Sequence, residues 1–79
     1  MFYSQKRILV TGGTSFIGSH LVDALAAAQA TVTVVDDLSS GQLDNLQTSI
    51  QNISFIQGNV RDPRVADQAT KGQDIVFHL

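Results

Sequence analysis

Apolar positions in this chain fall into short β-branched runs separated by stretches with helical spacing, and that alternation is the first structural signal. Residues 7–11 (RILVT) form a continuous apolar run that stops at Gly12-Gly13. Such a run predicts a strand buried on both faces rather than an alternating surface strand. Across 16–29, Ile17, Leu21, Leu25 and Ala28 recur at helical spacing, with Val22 alongside and Asp23 outside the stripe. Residues 24–28 add high helix propensity, so the longest helix is expected here. Residues 31–35 (TVTVV) read as a second strand that runs into the polar exit loop Asp36-Asp37-Leu38-Ser39-Ser40-Gly41.

The alternation continues to the last residue. Leu43, Leu46 and Ile50 lie three and four apart and predict a short amphipathic helix within 41–51, although Gly41, Asn45 and Ser49 weaken it. Residues 53–57 (ISFIQ) are a short strand closing with Gly58-Asn59-Val60. Asp62-Pro63 is a cap residue followed by a proline at the first helical position, with Val65, Ala66 and Ala69 as the buried side and Gly72 as the stop. Residues 74–79 (DIVFHL) form a final apolar strand. The predicted order β-α-β-α-β-α-β implies an α/β fold, with parallel strands joined by right-handed crossovers. It amounts to half of a Rossmann-type doubly wound sheet, strand order 3-2-1-4, in a single domain over 1–79. The last strand has no crossover helix after it, which leaves a sheet edge or face without its usual cover. A homodimer that extends or covers the sheet near residues 75–79 is therefore expected.

Composition narrows the possibilities by exclusion. With 79 residues, the chain buries only roughly 60–65% of its unfolded surface, so a ligand, a partner or a continuation is expected to complete the core. Five Lys+Arg against seven Asp+Glu, with no basic cluster, argue against binding DNA or RNA. No Cys occurs, which excludes disulfides, thiolate metal sites and Cys nucleophiles. No apolar run approaches the ~20 residues of a membrane span, and the N-terminus does not resemble a secretory signal, so a cytoplasmic location is expected.

The chemistry concentrates where the first strand turns into the longest helix, at Thr11-Gly12-Gly13-Thr14-Ser15-Phe16-Ile17-Gly18. A glycine pair there lets the backbone bend tightly and approach a ligand, while the helix N-terminus offers unpaired N–H groups to a pyrophosphate. A tight turn with a packing glycine and no ligand has the same pattern. Asp36 shifts the balance, because it ends the second strand 18 residues after Gly18, about where a nucleotide fold places an acid on the ribose hydroxyls. A carboxylate there repels a 2′-phosphate, and no Arg or Lys lies between Arg7 and Arg61. NAD is favoured over NADP.

Together TGGTSFIGSHL, VVDDLSSG, GNVRD and DIVFHL resemble the N-terminal part of the extended short-chain dehydrogenases/reductases, the NAD-dependent nucleotide-sugar epimerase/dehydratase family. The resemblance runs from Lys6 onward. It implies a Rossmann fold with the pyrophosphate over Gly12, Phe16 and Ile17, and Gly18 as the packing glycine. It places the adenosine ribose on Asp36, helped by Asp37 and Ser39 in the loop 37–41, the adenine near Asn59 and Val60, and the middle of the cofactor near Leu79. Two positions depart from the family's pattern. Ser15 stands where the middle glycine of Gly-x-x-Gly-x-x-Gly is usual, and its hydroxyl either crowds the pyrophosphate or bonds to it. Asn59 replaces the usual Asp at the adenine amino group and can accept that bond without charge assistance.

The family's Tyr-x-x-x-Lys pair and its substrate-binding region fall beyond residue 79. Tyr3, the only Tyr, has no Lys four residues on. His20 and His78 read as structural, no metal-spaced cluster is present, and Asp23, Asp44 and Asp67 read as solvated helix faces. The resemblance thus implies an NAD-binding segment that is not catalytic by itself, completed by a C-terminal half or a partner chain. A stand-alone adenine-nucleotide-binding module, acting as a sensor or subunit, is the alternative.

Overall fold

A computed structural model describes residues 2–39 and 41–79. Its four strands are β1 (Arg7–Thr11), β2 (Thr31–Asp36), β3 (Ile53–Gln57) and β4 (Ile75–His78), and its two α-helices are α1 (Phe16–Ala27) and α2 (Pro63–Thr70). The strands pair in parallel in the order β3-β2-β1-β4, as the alternating pattern predicts. Register places Thr11 opposite Val35 on one side and His78 on the other, so the C-terminal ends of the strands lie level.

Strand alternation divides the apolar residues between two faces. Ile8, Val10, Val32 and Val34 pack under α1, against Val22 and Leu25, while Leu9 and Val35 face α2 through Ala69. The buried stripe of α1 is Gly18, Ser19, Val22 and Leu25, one position along from the expected one. Ile17 is 75% exposed, because the face of α1 turned to the sheet is the one carrying Gly18, Val22 and Leu25. Helix α1 closes through a left-handed residue, Gln29 (φ 65°), with the Ala30 N–H reaching back to the Leu25 carbonyl. Helix α2 starts as expected: Asp62 accepts from the Arg64 N–H at 3.0 Å, with Pro63 in the first turn.

The helix expected over 41–51 does not form. In its place are two 3-10 turns, Leu43–Leu46 and Ile50–Asn52. Leu46 is fully buried and Ile50 packs partly buried against the same cluster, while Leu43 is 41% exposed, so only part of the expected stripe meets the core. Its polar residues are committed elsewhere. Asn45 donates to the Thr14 carbonyl at 2.7 Å and Ser49 donates to Asp23 at 2.6 Å, bonds that hold the segment against the turn after β1 and against α1 instead of winding it into a helix. Asp23 is accordingly half-buried and bonded, not a solvated helix residue.

Candidate functional site

The level C-terminal ends of the strands enclose a cleft of about 270 Å³, where open parallel sheets take their ligands. Gly12 and Ser15 line it from the turn after β1, Asp36 and Asp37 from the end of β2, Asn59 and Val60 from beyond β3, and Leu79 from beyond β4. Gly12 and Asn59, 47 positions apart in sequence, are brought to one cleft by the parallel pairing of β1, β2 and β3. Phe16, Ile17, Gly18 and Ser39 lie outside the lining.

The turn after β1 follows from its glycines and one serine. Gly12 has φ +76°, a conformation that disfavours side chains, and a Cβ there would rest in ordinary contact with Leu79, 3.4 Å from its carbonyl oxygen. At Gly18 a Cβ would collide with the Gly12 carbonyl and lie 2.8 Å from Ser15 Oγ. The packing glycine therefore brings α1 against the turn itself. Ser15 is the N-cap of α1: its Oγ accepts from the Gly18 N–H at 3.0 Å and donates to the Gly12 carbonyl at 2.9 Å. Its hydroxyl proton is thus turned inward to the main chain. The N–H groups of Phe16 and Ile17 have no partner among the described residues, as the first helical turn requires. Their side chains are 73% and 75% exposed, with the Phe16 ring edge-on to that of His20 at 4.7 Å.

Asp36 is held from both of its oxygens. Oδ2 accepts from the Thr14 N–H at 3.0 Å and from Thr14 Oγ1 at 2.5 Å, and Oδ1 accepts from the Leu38 N–H at 2.8 Å. Asp37 is exposed and accepts from the Ser39 N–H at 2.9 Å. Hydrogen bonding from Ser39, side chain first and then backbone, holds the Asp37 carboxyl below the ordinary Asp value. Ser39 thereby acts on the cleft through Asp37. Asn59 Oδ1 accepts from the Arg61 N–H at 2.9 Å, a local turn bond that leaves one acceptor position on that oxygen. Ser40, expected in the exit loop of β2, lies outside the described residues.

Sequence reasoning missed Thr11, Thr14 and His78. Thr11 Oγ1 and His78 Nδ1 are 2.7 Å apart at the mouth of the cleft, an adjacency set by the β1–β4 register. Thr14 is fully buried beneath Asp36. The only signal for it was a polar residue in the middle of the glycine turn, with its partner 22 residues away.

The N-cap of α1, the positive-φ glycine and the strand-end acid converge on one cleft. Compared with known families, residues 8–79 match the NAD dependent epimerase/dehydratase family. The chain belongs to that family. Over 75 residues it is 36% identical to a UDP-N-acetyl-alpha-D-glucosaminuronate decarboxylase of Bacillus cytotoxicus, covering 95% of this chain and 23% of the relative. Among solved structures, an epimerase from Methanothermobacter thermautotrophicus superposes with a TM-score of 0.92 at 40% identity, over 99% of this chain and 23% of that one. The Bordetella bronchiseptica enzyme WbmF in complex with NAD+ superposes with a TM-score of 0.88 at 29% identity, over 100% of this chain and 24% of that one. The chain therefore spans less than a quarter of the length of these relatives. Its Rossmann sheet is the family's, and NAD is the family's cofactor. Among the described residues no helix is long and apolar enough to cross a membrane.

Proposed function

We propose that this chain is the NAD-binding segment of a nucleotide-sugar epimerase/dehydratase-type protein and does not catalyse a reaction by itself. The observation that carries the reading is the meeting of Gly12, Asp36 and Asn59 in one cleft at the C-terminal ends of β1, β2 and β3. The Phe16 and Ile17 N–H groups and the dipole of α1 receive the pyrophosphate, with Gly12 allowing its approach. Asp36 takes a ribose hydroxyl, Asp37 adds negative charge against a 2′-phosphate, Asn59 and Val60 flank the adenine, and Leu79 meets the middle of the cofactor. NAD, when bound, supplies the hydride acceptor of the family's chemistry. The sequence holds no Tyr-x-x-x-Lys, so the proton-transferring groups and the sugar nucleotide are assigned to a C-terminal half or a partner chain. A sugar nucleotide carrying UDP is favoured by the decarboxylase relative.

The same reading treats residues 1–79 as one cofactor-binding unit and places it in the cytoplasm, consistent with a chain free of Cys. It also includes a homodimer formed over β4, whose Val76 is 49% exposed on an otherwise apolar strand.

Calorimetric titration with NAD, AMP and NADP in parallel tests the reading. Saturable binding of NAD and AMP is expected, with NADP weaker, and Asp36→Ala is expected to lower NAD affinity by roughly tenfold or more through loss of a charge-assisted hydrogen bond. Equal binding of NAD by the wild type and Asp36→Ala would overturn it.

A further inference from the structure

The bonds around Asp36 restrict what it can recognise. A carboxylate offers about four acceptor positions, two on each oxygen. Thr14 fills both positions on Oδ2, one from its backbone N–H and one from its hydroxyl, and the Leu38 N–H fills one on Oδ1. One acceptor position is left among the described residues, and it belongs to Oδ1. The partner that occupies Oδ2 is itself held in place. Thr14 is fully buried, its carbonyl accepts from Asn45 Nδ2 at 2.7 Å and from the Gln42 N–H at 3.3 Å, and a side chain at Gly41 would collide with it. The loop leaving β2 thus clamps Thr14, and Thr14 clamps the carboxylate.

We propose that Thr14 is a positioning residue for nucleotide recognition: by occupying Oδ2 it makes Asp36 read a single ribose hydroxyl rather than grip two at once. The proposal rests on the NAD reading above and deepens it. A carboxylate held with its second oxygen saturated discriminates between the two ribose hydroxyls. A free one would accept from both.

Titration of the chain with AMP, 2′-deoxy-AMP and 3′-deoxy-AMP separates these cases. In the wild type one deoxy analogue is expected to bind as AMP does, and the other roughly tenfold more weakly, the loss of one hydrogen bond to a charged group. Thr14→Ala removes the hydroxyl and vacates its space, opening a position on Oδ2, so both deoxy analogues should then bind roughly tenfold more weakly than AMP. Thr14→Ser keeps the donor and should keep the wild-type pattern, which a merely structural role for Thr14 would not require. Equal losses for both analogues in the wild type overturn the proposal even if Thr14→Ala fails to fold, as does a Thr14→Ala pattern identical to the wild type. A wild-type chain that binds AMP but shows either result leaves the NAD reading standing. Absence of AMP and NAD binding overturns both.

Discussion

At the scale of single residues, the turn after β1 is assembled from exclusions. Gly18 lies inside α1, where alanine is ordinarily favoured over glycine by about 1 kcal/mol. Here the sign reverses, because the added Cβ would strike the Gly12 carbonyl, a backbone atom that cannot swing aside, and crowd Ser15 Oγ. Overpacking of this kind costs about 1–3 kcal/mol, so Gly18→Ala is expected to destabilise the chain by up to about 2 kcal/mol net. A lower midpoint in urea denaturation with unchanged slope would show it, whereas a raised midpoint would mean that α1 does not rest on the turn. The identity of such residues is legible in the sequence because glycine at a strand-to-helix turn has few other uses. What they touch is not. Ser15 could be read only as a substituent near a phosphate, since capping depends on which N–H its oxygen faces. Thr14 was invisible as a partner of Asp36 for the same reason, the two being joined only once β1 and β2 lie side by side.

At the scale of elements, the four strands and both α-helices follow from local pattern, because β-branched runs and capped helical stripes are each specified within a few residues. Segment 41–52 is the exception, and its failure is physical. Helical spacing of Leu43, Leu46 and Ile50 would matter only if all three met the core, yet Leu46 and Ile50 do and Leu43 does not. Leu46 is 0% exposed and joins Val22 and Leu25 in the larger cluster, while Leu43 is 41% exposed. Truncation should register that difference. Leu46→Ala is expected to cost about 3 kcal/mol, within the range for a fully buried leucine, and Leu43→Ala to stay within about 0.5 kcal/mol. Equal effects in chemical denaturation would restore the amphipathic helix that the spacing suggests. The candidate site follows the same division: its glycines and acid are set by local sequence, and its Thr14 clamp by the bonds of this irregular segment.

At the scale of the whole molecule, the two faces of the sheet are unequally covered. Helix α1 and Leu46 close one face over Ile8, Val10, Val32 and Val34, whereas α2, only 8 residues long, brings Ala69 alone among its residues into full burial on the other. The shortfall falls on β4. Val76 lies opposite Leu9, on the face that α2 covers, and remains 49% exposed, with Leu79 53% exposed beyond it. Among the described residues β4 pairs only with β1, so its outer edge carries free N–H and C=O groups beside an apolar side chain, the combination that invites a further strand. A chain of this size gains proportionally more than a large one from any added burial. Sedimentation at about 100 μM is therefore expected to show a dimer, and Val76→Lys, which places a charge on the exposed face without touching the buried residues, is expected to return it to a monomer. NAD affinity should survive that substitution, because Val76 does not line the cleft. A monodisperse wild-type monomer at that concentration would mean that the outer edge of β4 is tolerated in solution, and that covering it is not what completes this chain.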